Sequence, residues 1–346
     1  MQRKDSKSDA PIMMLSAASG FIMQSDKYSR DNAGQSLKKY TLLKKGELAY
    51  NHGASKYKPY GCCFELTVDE ARIPYVYHCF SLHNSCIPYV ARLLNNQKID
   101  QQLKKLISSS VRMDGLLNIA YEDYTGIDLF LPTLPEQEKI AAFLSLVDAR
   151  IEKQRQLVEA LKKYKRGVKS CIFSQHSSWN RDTADKLAHI ATGSSNTQDS
   201  VADGKFPFFI RSANVARSNK YIFDGEAVLT IGDGQIGKVF HYINGKFDCH
   251  QRVYMITDFR KISGRYFYHF FSTFFYERAM KMSAKNTVDS VRMEMIAKMP
   301  IYYPSQEQQN KIVSLLDALD TKIMDEHQEQ EKLELVKKGL LQQMFI

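Results

Sequence analysis

"PTLPEQEKIAAFLSLVDARIEKQRQLVEALKKYKRGVKSCIF", residues 132–173, occurs twice in this chain. The second copy, residues 304–345, reads "PSQEQQNKIVSLLDALDTKIMDEHQEQEKLELVKKGLLQQMF" and aligns with the first without a gap. Identical residues are spread along the whole length: Pro132/Pro304, Gln137/Gln309, Lys139/Lys311, Ile140/Ile312, Leu144/Leu316, Asp148/Asp320, Ile151/Ile323, Leu161/Leu333, Lys165/Lys337, Gly167/Gly339 and Phe173/Phe345. A gapless match of this length indicates an internal repeat, which organises the rest of the chain.

Both copies have the apolar periodicity of a long helix. Apolar residues recur at steps of three, four and seven, which is the spacing of the a and d positions of a coiled coil. Pro132 and Pro304 stand where the helices are expected to begin, because proline is tolerated at a helix start but not inside a helix. We assign eight residues to the seam between the two helices: Ile140, Leu144, Val147, Ile151, Ile312, Leu316, Leu319 and Ile323.

The two copies carry opposite charge. Residues 132–174 contain nine basic and five acidic residues, a net charge of +4, whereas residues 304–346 contain five basic and eight acidic residues, a net charge of −3. Opposite charge favours pairing of the two unlike helices over pairing of identical ones. The alternative is that these charges only solvate the outer faces of the helices.

A globular region precedes each helix, and the two regions are distant versions of each other. Gly46 in "YTLLKKGELAY" corresponds to Gly225 in "YIFDGEAVLT", and Arg112 corresponds to Arg292. Each region has short β-like runs and then a helical stretch, so the fold class is α+β. The chain therefore divides into four segments: globular residues 1–131, helical residues 132–174, globular residues 175–303 and helical residues 304–346.

Composition narrows the class of protein. The net charge of +10 and the isoelectric point of about 9.1 suggest a polyanionic partner. No run of 18 apolar residues is present, so we expect no membrane span. The six cysteines lack the paired spacing of a zinc site, and reduced thiols in the cytoplasm are the expectation.

"TIGDGQIGKV", residues 230–239, contains the pattern G-x-G-x-x-G and comes close to a P-loop. A P-loop has Ser or Thr after its Lys, but Val239 follows Lys238 here. The next residues are rich in β-formers, and Asn244-Gly245 is typical of a hairpin turn. The glycines are thus expected to join strands, where they allow a positive φ, and not to cradle a phosphate.

These features together resemble one known family, the DNA-specificity (S) subunits of type I restriction–modification systems, along essentially the whole chain. The most specific element is P-x-x-x-E-Q-x-K-I-x-x-x-L-x-x-x-D-x-x-I, which the second copy keeps except at Gln308, where the pattern has Glu. The first copy matches it at Pro132, Glu136, Gln137, Lys139, Ile140, Leu144, Asp148 and Ile151.

The resemblance implies a division of labour. Each globular region is expected to be a target-recognition domain that reads one half of a split site in double-stranded DNA. The helices are expected to pair as an antiparallel coiled coil that sets the spacing. Two modification (methyltransferase) subunits dock on this frame and bring S-adenosylmethionine. Restriction motor-nuclease subunits, where present, bring ATP with magnesium. This chain itself is expected to be non-catalytic and to hold no cofactor or metal.

Candidate DNA contacts follow from residue chemistry. Arg suits guanine, Asn or Gln suits adenine, and Lys mostly contacts phosphate. In the second globular region the candidates are Arg211, Asn214, Arg217, Lys220, Lys238, His250, Gln251 and Arg252. In the first region a basic zone with an interleaved aromatic residue comprises Lys38, Lys39, Lys44, Lys45, Lys56, Tyr57 and Lys58. The alternative for that zone is a strand edge guarded by lysines.

The two regions differ at their starts. The second opens with "WNRDTADKLAHIATGSSNTQDSVADGKFPFF", residues 179–209, and the first has no such lead-in. The first region is therefore expected to lack an opening strand, and a truncated or silent specificity variant is one alternative. The others are an architectural coiled-coil DNA-binding protein and a nucleotide-dependent enzyme, which rests on the glycine motif alone.

Overall fold

A computed structural model describes residues 9–27, 39–55, 58–107, 117–282 and 290–345. The chain forms two compact units. The first unit contains residues 1–153 and 330–346, and the second contains residues 154–329. The units divide inside both repeated segments, so each unit contains the beginning of one long helix and the end of the other. In the described ranges, no helix combines the length and apolar character that crossing a membrane requires.

In the part of the first unit that the structure describes, seven short strands form three small antiparallel sheets. The sheets pair β1 with β2, β3 with β6, and β4 with both β5 and β7. The strands are β1 Met13–Ser16, β2 Gly20–Met23, β3 Thr41–Lys44, β4 Leu48–Asn51, β5 Cys62–Glu65, β6 Glu70–Ile73 and β7 His78–Phe80. The helices are α1 Gln24–Lys27, α2 Ile87–Leu93, α3 Gln97–Leu106 and α4 Tyr121–Thr125, followed by α5 Leu134–Ser174.

The second unit is built on one six-stranded sheet of order β11-β10-β13-β12-β14-β9, with a separate β8–β15 ribbon. Its strands are β8 Asn180–Thr183, β9 His189–Thr192, β10 Phe206–Phe209, β11 Val215–Ser218, β12 Phe223–Ile231, β13 Phe240–Cys249, β14 Val253–Thr257 and β15 Pro300–Tyr303. Its helices are α6 Ala184–Leu187, α7 Gly264–Met282 and α8 Met293–Ala297, followed by α9 Gln306–Met344. The aromatic face of α7 packs into the core beside the sheet. In the sheet only β10 and β13 pair in parallel.

The glycine motif joins β12 to β13, as the sequence predicts. Gly234 and Gly237 have positive φ values of 78° and 64°. A Cβ on Gly237 would lie 2.8 Å from the Cα of Tyr276, so the loop passes too close to α7 for a side chain. The hairpin prediction at Asn244-Gly245 is wrong. Both residues lie inside β13, where Gly245 pairs with Gly225, because the long β12 strand supplies partners beyond the glycine.

The two long helices begin as the sequence predicts, just after the repeated prolines. At the start of α5 the Glu136 carboxylate accepts hydrogen bonds from the N–H and hydroxyl groups of Thr133, a capping arrangement. These hydrogen bonds lower the pKa of Glu136. Each helix also has a repeated glutamine near its start whose Oε1 caps a second helix. Gln137 accepts the N–H of Cys86 before α2, and Gln309 accepts the N–H of Ser263 before α7.

The two long helices contact each other, and residues that come later in α5 pair with residues that come earlier in α9. In the second unit Gln154 Nε2 donates to the Glu326 carbonyl at 2.9 Å, and Lys165 pairs with Asp320. In the first unit Lys337 Nζ lies 2.7 Å from Asp148 Oδ1. In the second unit these two contacts fit helices that run in opposite directions, and pairing as an antiparallel coiled coil stays a prediction.

The eight predicted seam residues are buried or half-buried. Leu144 in the first unit and Leu316 in the second are buried in the core of their own unit. The other six are half-buried: Ile140, Val147, Ile151, Ile312, Leu319 and Ile323. The helix ends join the same cores, since Phe345 packs against Tyr89 at 5.1 Å and Phe173 packs against Tyr266 at 5.9 Å.

Candidate nucleic-acid interface

One edge of the second unit's sheet gathers side chains that suit base recognition. β10 and β13 run in parallel, with Phe209 opposite Cys249, so the residues after both strands emerge at the same edge. The His250 N–H donates to the Phe209 carbonyl at 3.0 Å and holds the two strand ends together. A polar depression of about 390 Å³ lies here, lined by Asn196, Thr197, Gln198, Arg211, His250, Gln251 and Arg252. Four of the eight predicted contacts in this region are thus neighbours.

Asp233 in the glycine loop holds the two arginines of this edge, which we call the Arg211–Arg252 edge. Its Oδ2 lies 3.2 Å from a guanidinium nitrogen of Arg211 and 3.2 Å from one of Arg252. The aspartate side chain is 19% exposed, whereas the arginine side chains are 48% and 64% exposed. The carboxylate therefore orients two guanidinium groups that still face solvent, as a recognition surface requires.

A glutamine and an asparagine lie beside the arginines. Gln251 Nε2 donates to Asn196 Oδ1 at 2.7 Å, and both amides are of the type that pairs with adenine. The loop that carries Asn196 is fixed from below by Ser195, whose hydroxyl donates to Oδ1 of the buried Asp248 at 2.7 Å. Backbone hydrogen bonds join Ser195 to Cys249 and Gln251. The amide pair is thus positioned by a rigid support.

His250 is buried and serves the edge as a structural group. Its Nδ1 accepts the backbone N–H of Arg252 at 3.0 Å. Burial lowers the pKa of the imidazole, and the charges of Arg211 and Arg252 lower it further, against the opposing effect of Asp233. The ring is therefore neutral at neutral pH, and its hydrogen is on Nε2.

The other predicted contacts of the second unit have separate surroundings. Arg217 lies in strand β11, and its guanidinium donates to the carbonyls of Gly204 and Lys205. Lys220 pairs with Asp199 at 3.4 Å. Lys238 lies over the ring of Tyr276, 5.8 Å from its centre. Asn214 is exposed in a turn closed by Ser212. Residues 211–214 thus form a loop before strand β11.

The basic zone of the first unit is spread over several elements. Lys39 lies over the ring of Tyr75 at 5.9 Å, and Lys44 at the end of β3 is 3.9 Å from Glu70. Lys45 is exposed in the turn after β3. Lys58 Nζ donates to the carbonyl of Asn95 at 2.8 Å. Lys38, Lys56 and Tyr57 lie outside the described residues. DNA contact by this zone stays a prediction.

Sequence reasoning missed Asn196, Asp233 and Asp248 at the Arg211–Arg252 edge. Asp233 was visible inside the glycine motif, but its arginine partners are 22 and 19 residues away in sequence. Asp248 has no sequence signal, since a single acidic residue in a strand usually faces solvent. Only the pairing of β10 with β13 brings these groups together.

One further cluster has the residue types of a metal site. His269, Asp317 and Asp320 place potential ligand atoms within 4.8 Å of one another. These carboxylates already pair with cations, since Arg265 Nε is 2.8 Å from Asp317 and Lys165 pairs with Asp320. His269 Nε2 is 2.8 Å from Asp317 Oδ1, and burial lowers the pKa of the imidazole to about 4. The cluster is thus a charge-compensated network and does not fit a metal site.

Comparison with known proteins finds a family model and a curated relative that each match part of the chain. Residues 178–335 match the type I restriction modification DNA specificity domain. Over 141 residues the chain is 26% identical to the type I restriction enzyme EcoDI specificity subunit of Escherichia coli. That match covers 41% of this chain and 31% of the relative, so it spans less than a third of the relative's length.

Solved structures have the same fold. The crystal structure of a type I restriction–modification S subunit from M. genitalium superimposes with a TM-score of 0.61 at 15% identity, covering 100% of this chain and 92% of that one. A structure from work on complex assembly and conformational transition of the type I R-M system gives 0.58 at 14% identity, covering 99% and 94%. The chain thus carries a match to the type I restriction modification DNA specificity domain over residues 178–335, and along its length it has the fold of the solved S subunits.

Proposed function

We propose that this chain recognises DNA for a type I restriction–modification complex and that the Arg211–Arg252 edge reads one half of a split site. The observation that carries the proposal is the convergence of two solvent-facing arginines with the Gln251–Asn196 amide pair inside the matched domain. Arginines pair bidentately with guanine and amides with adenine in the major groove. Their fixed positions favour sequence reading over non-specific attraction.

The first unit, in this proposal, reads the other half-site, and Lys39, Lys44, Lys45 and Lys58 contribute phosphate contacts. The two long helices pair as an antiparallel coiled coil and act as a ruler between the half-sites. A stiff spacer suits this role, because split recognition strengthens binding only when the spacing matches the helical repeat of DNA.

Partner proteins supply the chemistry. Two modification subunits dock on the helices and bring S-adenosylmethionine for adenine methylation, and restriction motor-nuclease subunits bring ATP and magnesium. The chain itself catalyses neither reaction, and the complex works in the cytoplasm. This assignment rests on the similarity to type I specificity subunits.

The test uses the full chain in complex with its modification subunit. Selection from a random duplex pool yields the preferred site, and fluorescence anisotropy then measures affinity for that site and for each single-base variant. We expect Arg252→Gln to weaken binding to the preferred duplex about 10- to 100-fold and to relax preference at one base pair, since a bidentate contact contributes about 1–3 kcal/mol.

The matched control is Lys281→Gln, which removes one positive charge from an exposed site on α7, where Lys281 pairs with Glu277. This variant should change affinity less than threefold and leave base preference intact. Equal losses in the two variants, with no change of preference in Arg252→Gln, would contradict base reading by the edge.

A further inference from the structure

A large cleft in the first unit lies apart from the Arg211–Arg252 edge. It has a volume of about 1000 Å³ and lies beside α2. Its walls include Phe64 from β5, Ala91 and Arg92 from α2, the start of α3, and Leu341 from the last turns of α9. A volume of this order is at the upper end of the range for small-molecule sites.

The internal repeat identifies what fills the equivalent place in the second unit. The repeated glutamines cap Cys86 in the first unit and Ser263 in the second. Matching these two residues aligns α2 with α7 at an offset of 177 residues. The tyrosines that pack against the repeated phenylalanines have the same offset. At this offset Ala91 corresponds to Tyr268. In the helix repeat, Leu341 corresponds to Lys169.

The second unit fills this space with its own side chains. The ring of Tyr268 lies 6.1 Å from that of Tyr242, and the guanidinium of Arg265 lies 5.1 Å from the Tyr268 ring. Lys169 Nζ donates to Ser272 Oγ at 3.0 Å. In the first unit, alanine and leucine replace the tyrosine and the lysine, so an aromatic ring and an amine are both missing from the cleft.

The charge around the cleft favours an anion. Five cations line it against three acidic residues. Burial raises the pKa of the Glu65 and Asp100 carboxyls, against the opposing charges of Arg92 and Lys58 respectively. The third acid, Asp148, is already paired with Arg92 and Lys337. The remaining cations of the lining are Lys58, Lys98 and Lys338.

We propose that the cleft binds a planar aromatic anion of mononucleotide size. The ring takes the place that Tyr268 occupies in the second unit and packs against Ala91, Leu341 and Phe64. The anionic group lies toward Lys98 and Lys338. This site is separate from the Arg211–Arg252 edge, because its lining lies wholly in the first unit and shares no residue with that edge.

Photolabelling of the full chain with 8-azidoadenosine 5′-monophosphate tests the site. The label should saturate and map by peptide sequencing to residues 58–67 or 91–101. Ala91→Tyr places in the cleft the side chain that Tyr268 provides in the second unit. It should reduce labelling at least tenfold while the circular dichroism spectrum stays unchanged. The matched control is Ala213→Tyr at an exposed position, which should label like the original chain.

A double variant, Lys98→Gln with Lys338→Gln, tests whether these two cations bind the anionic group, and it leaves the volume of the cleft nearly unchanged. It should raise the half-saturating probe concentration at least fivefold. Labelling that maps elsewhere, or that stays unchanged in a folded Ala91→Tyr chain and in the double variant, overturns the proposal. Absence of labelling at millimolar probe also overturns it and leaves the cleft to a partner's side chain.

Discussion

At the scale of single residues, Asp233 fixes the orientation of the two arginines at the Arg211–Arg252 edge. One carboxylate holds two guanidinium groups at 3.2 Å each, and its own side chain is mostly covered. Ion pairs with exposed partners contribute only about 0–1 kcal/mol to folding, so the main effect of Asp233 is to orient the arginines. In the proposed function it is a positioning residue.

Replacing Asp233 by Asn should therefore separate affinity from specificity. Loss of the negative charge should raise affinity for random duplexes a few-fold, because cation–phosphate attraction increases. Loss of orientation should lower the ratio of specific to random affinity about tenfold. Asp203→Asn, at an exposed position of the same unit, removes the same charge and should leave that ratio unchanged. Anisotropy titrations at two salt concentrations measure both quantities.

His269 makes the second unit sensitive to acid. Burial lowers its pKa from 6.5 to about 4, so the unfolded chain binds a proton more tightly than the folded one. Stability is complete above pH 6.5 and falls as the pH decreases toward 4. Between pH 7 and pH 5 we expect a loss of about 2 kcal/mol from this group.

The only tryptophan, Trp179, packs against the core of the second unit and reports its unfolding in urea. In His269→Gln, which keeps a donor for Asp317, the pH dependence over this range should be smaller by about 2 kcal/mol than in the original chain. An identical pH dependence in both proteins would show that the imidazole is not the responsible group.

At the scale of elements, the repeat produces crosswise ion pairs between the long helices. Asp148 of the first helix pairs with Lys337 of the second, and the equivalent Asp320 of the second pairs with Lys165 of the first. The Lys165 and Asp320 side chains are 16% and 36% exposed. Partial burial makes breaking this pair more costly than breaking an exposed one.

Reversal of one partner should therefore destabilise the second unit, and reversal of both should restore it in part. Asp320→Lys is expected to lower the free energy of unfolding by about 2 kcal/mol, and Lys165→Asp added to it should recover about half of that loss. Urea unfolding followed by Trp179 fluorescence gives these values. Lys281→Glu, in an exposed pair, should cost less than about 0.5 kcal/mol. Additive losses in the double variant would argue against the pairing.

The glycine loop shows how far local sequence reasoning reaches. The motif, its strand-to-strand context and its positive φ values were predictable because they depend on neighbouring residues. The Asn244-Gly245 signal failed because β12 and β13 continue past it, with Gly225 opposite Gly245. Pairing between distant strands overrode a local turn preference.

Two alanine substitutions test the structural role of this loop. Gly234→Ala meets nothing within 4 Å and should cost only about 1 kcal/mol for the positive φ. Gly237→Ala also places its Cβ 2.8 Å from the Tyr276 backbone and should cost about 2–4 kcal/mol. Thermal unfolding followed by Trp179 fluorescence compares them. Equal costs would mean that the approach to α7 is not tight.

At the scale of the whole molecule, the internal sequence repeat predicted the two long helices. These helices follow from it, because helical periodicity and gapless identity are local signals, whereas the seam residues and the two related globular regions stay predictions. The six-stranded sheet of the second unit and the three small sheets of the first were not predictable, since strand partners are set by contacts far apart in sequence. The assembly of the Arg211–Arg252 edge depends on such contacts.

Methylation mapping of host DNA shows whether each globular region reads one half of a split site. The chain is co-expressed with its modification subunit, and modified adenines are located by single-molecule sequencing. If the Arg211–Arg252 edge reads one half of the site, adenines are methylated within a split motif. Combining Gln251→Ala with Arg252→Gln then changes only one half of that motif. Methylation at a continuous motif, changes in both halves, or a motif unaffected by the double variant would contradict this prediction.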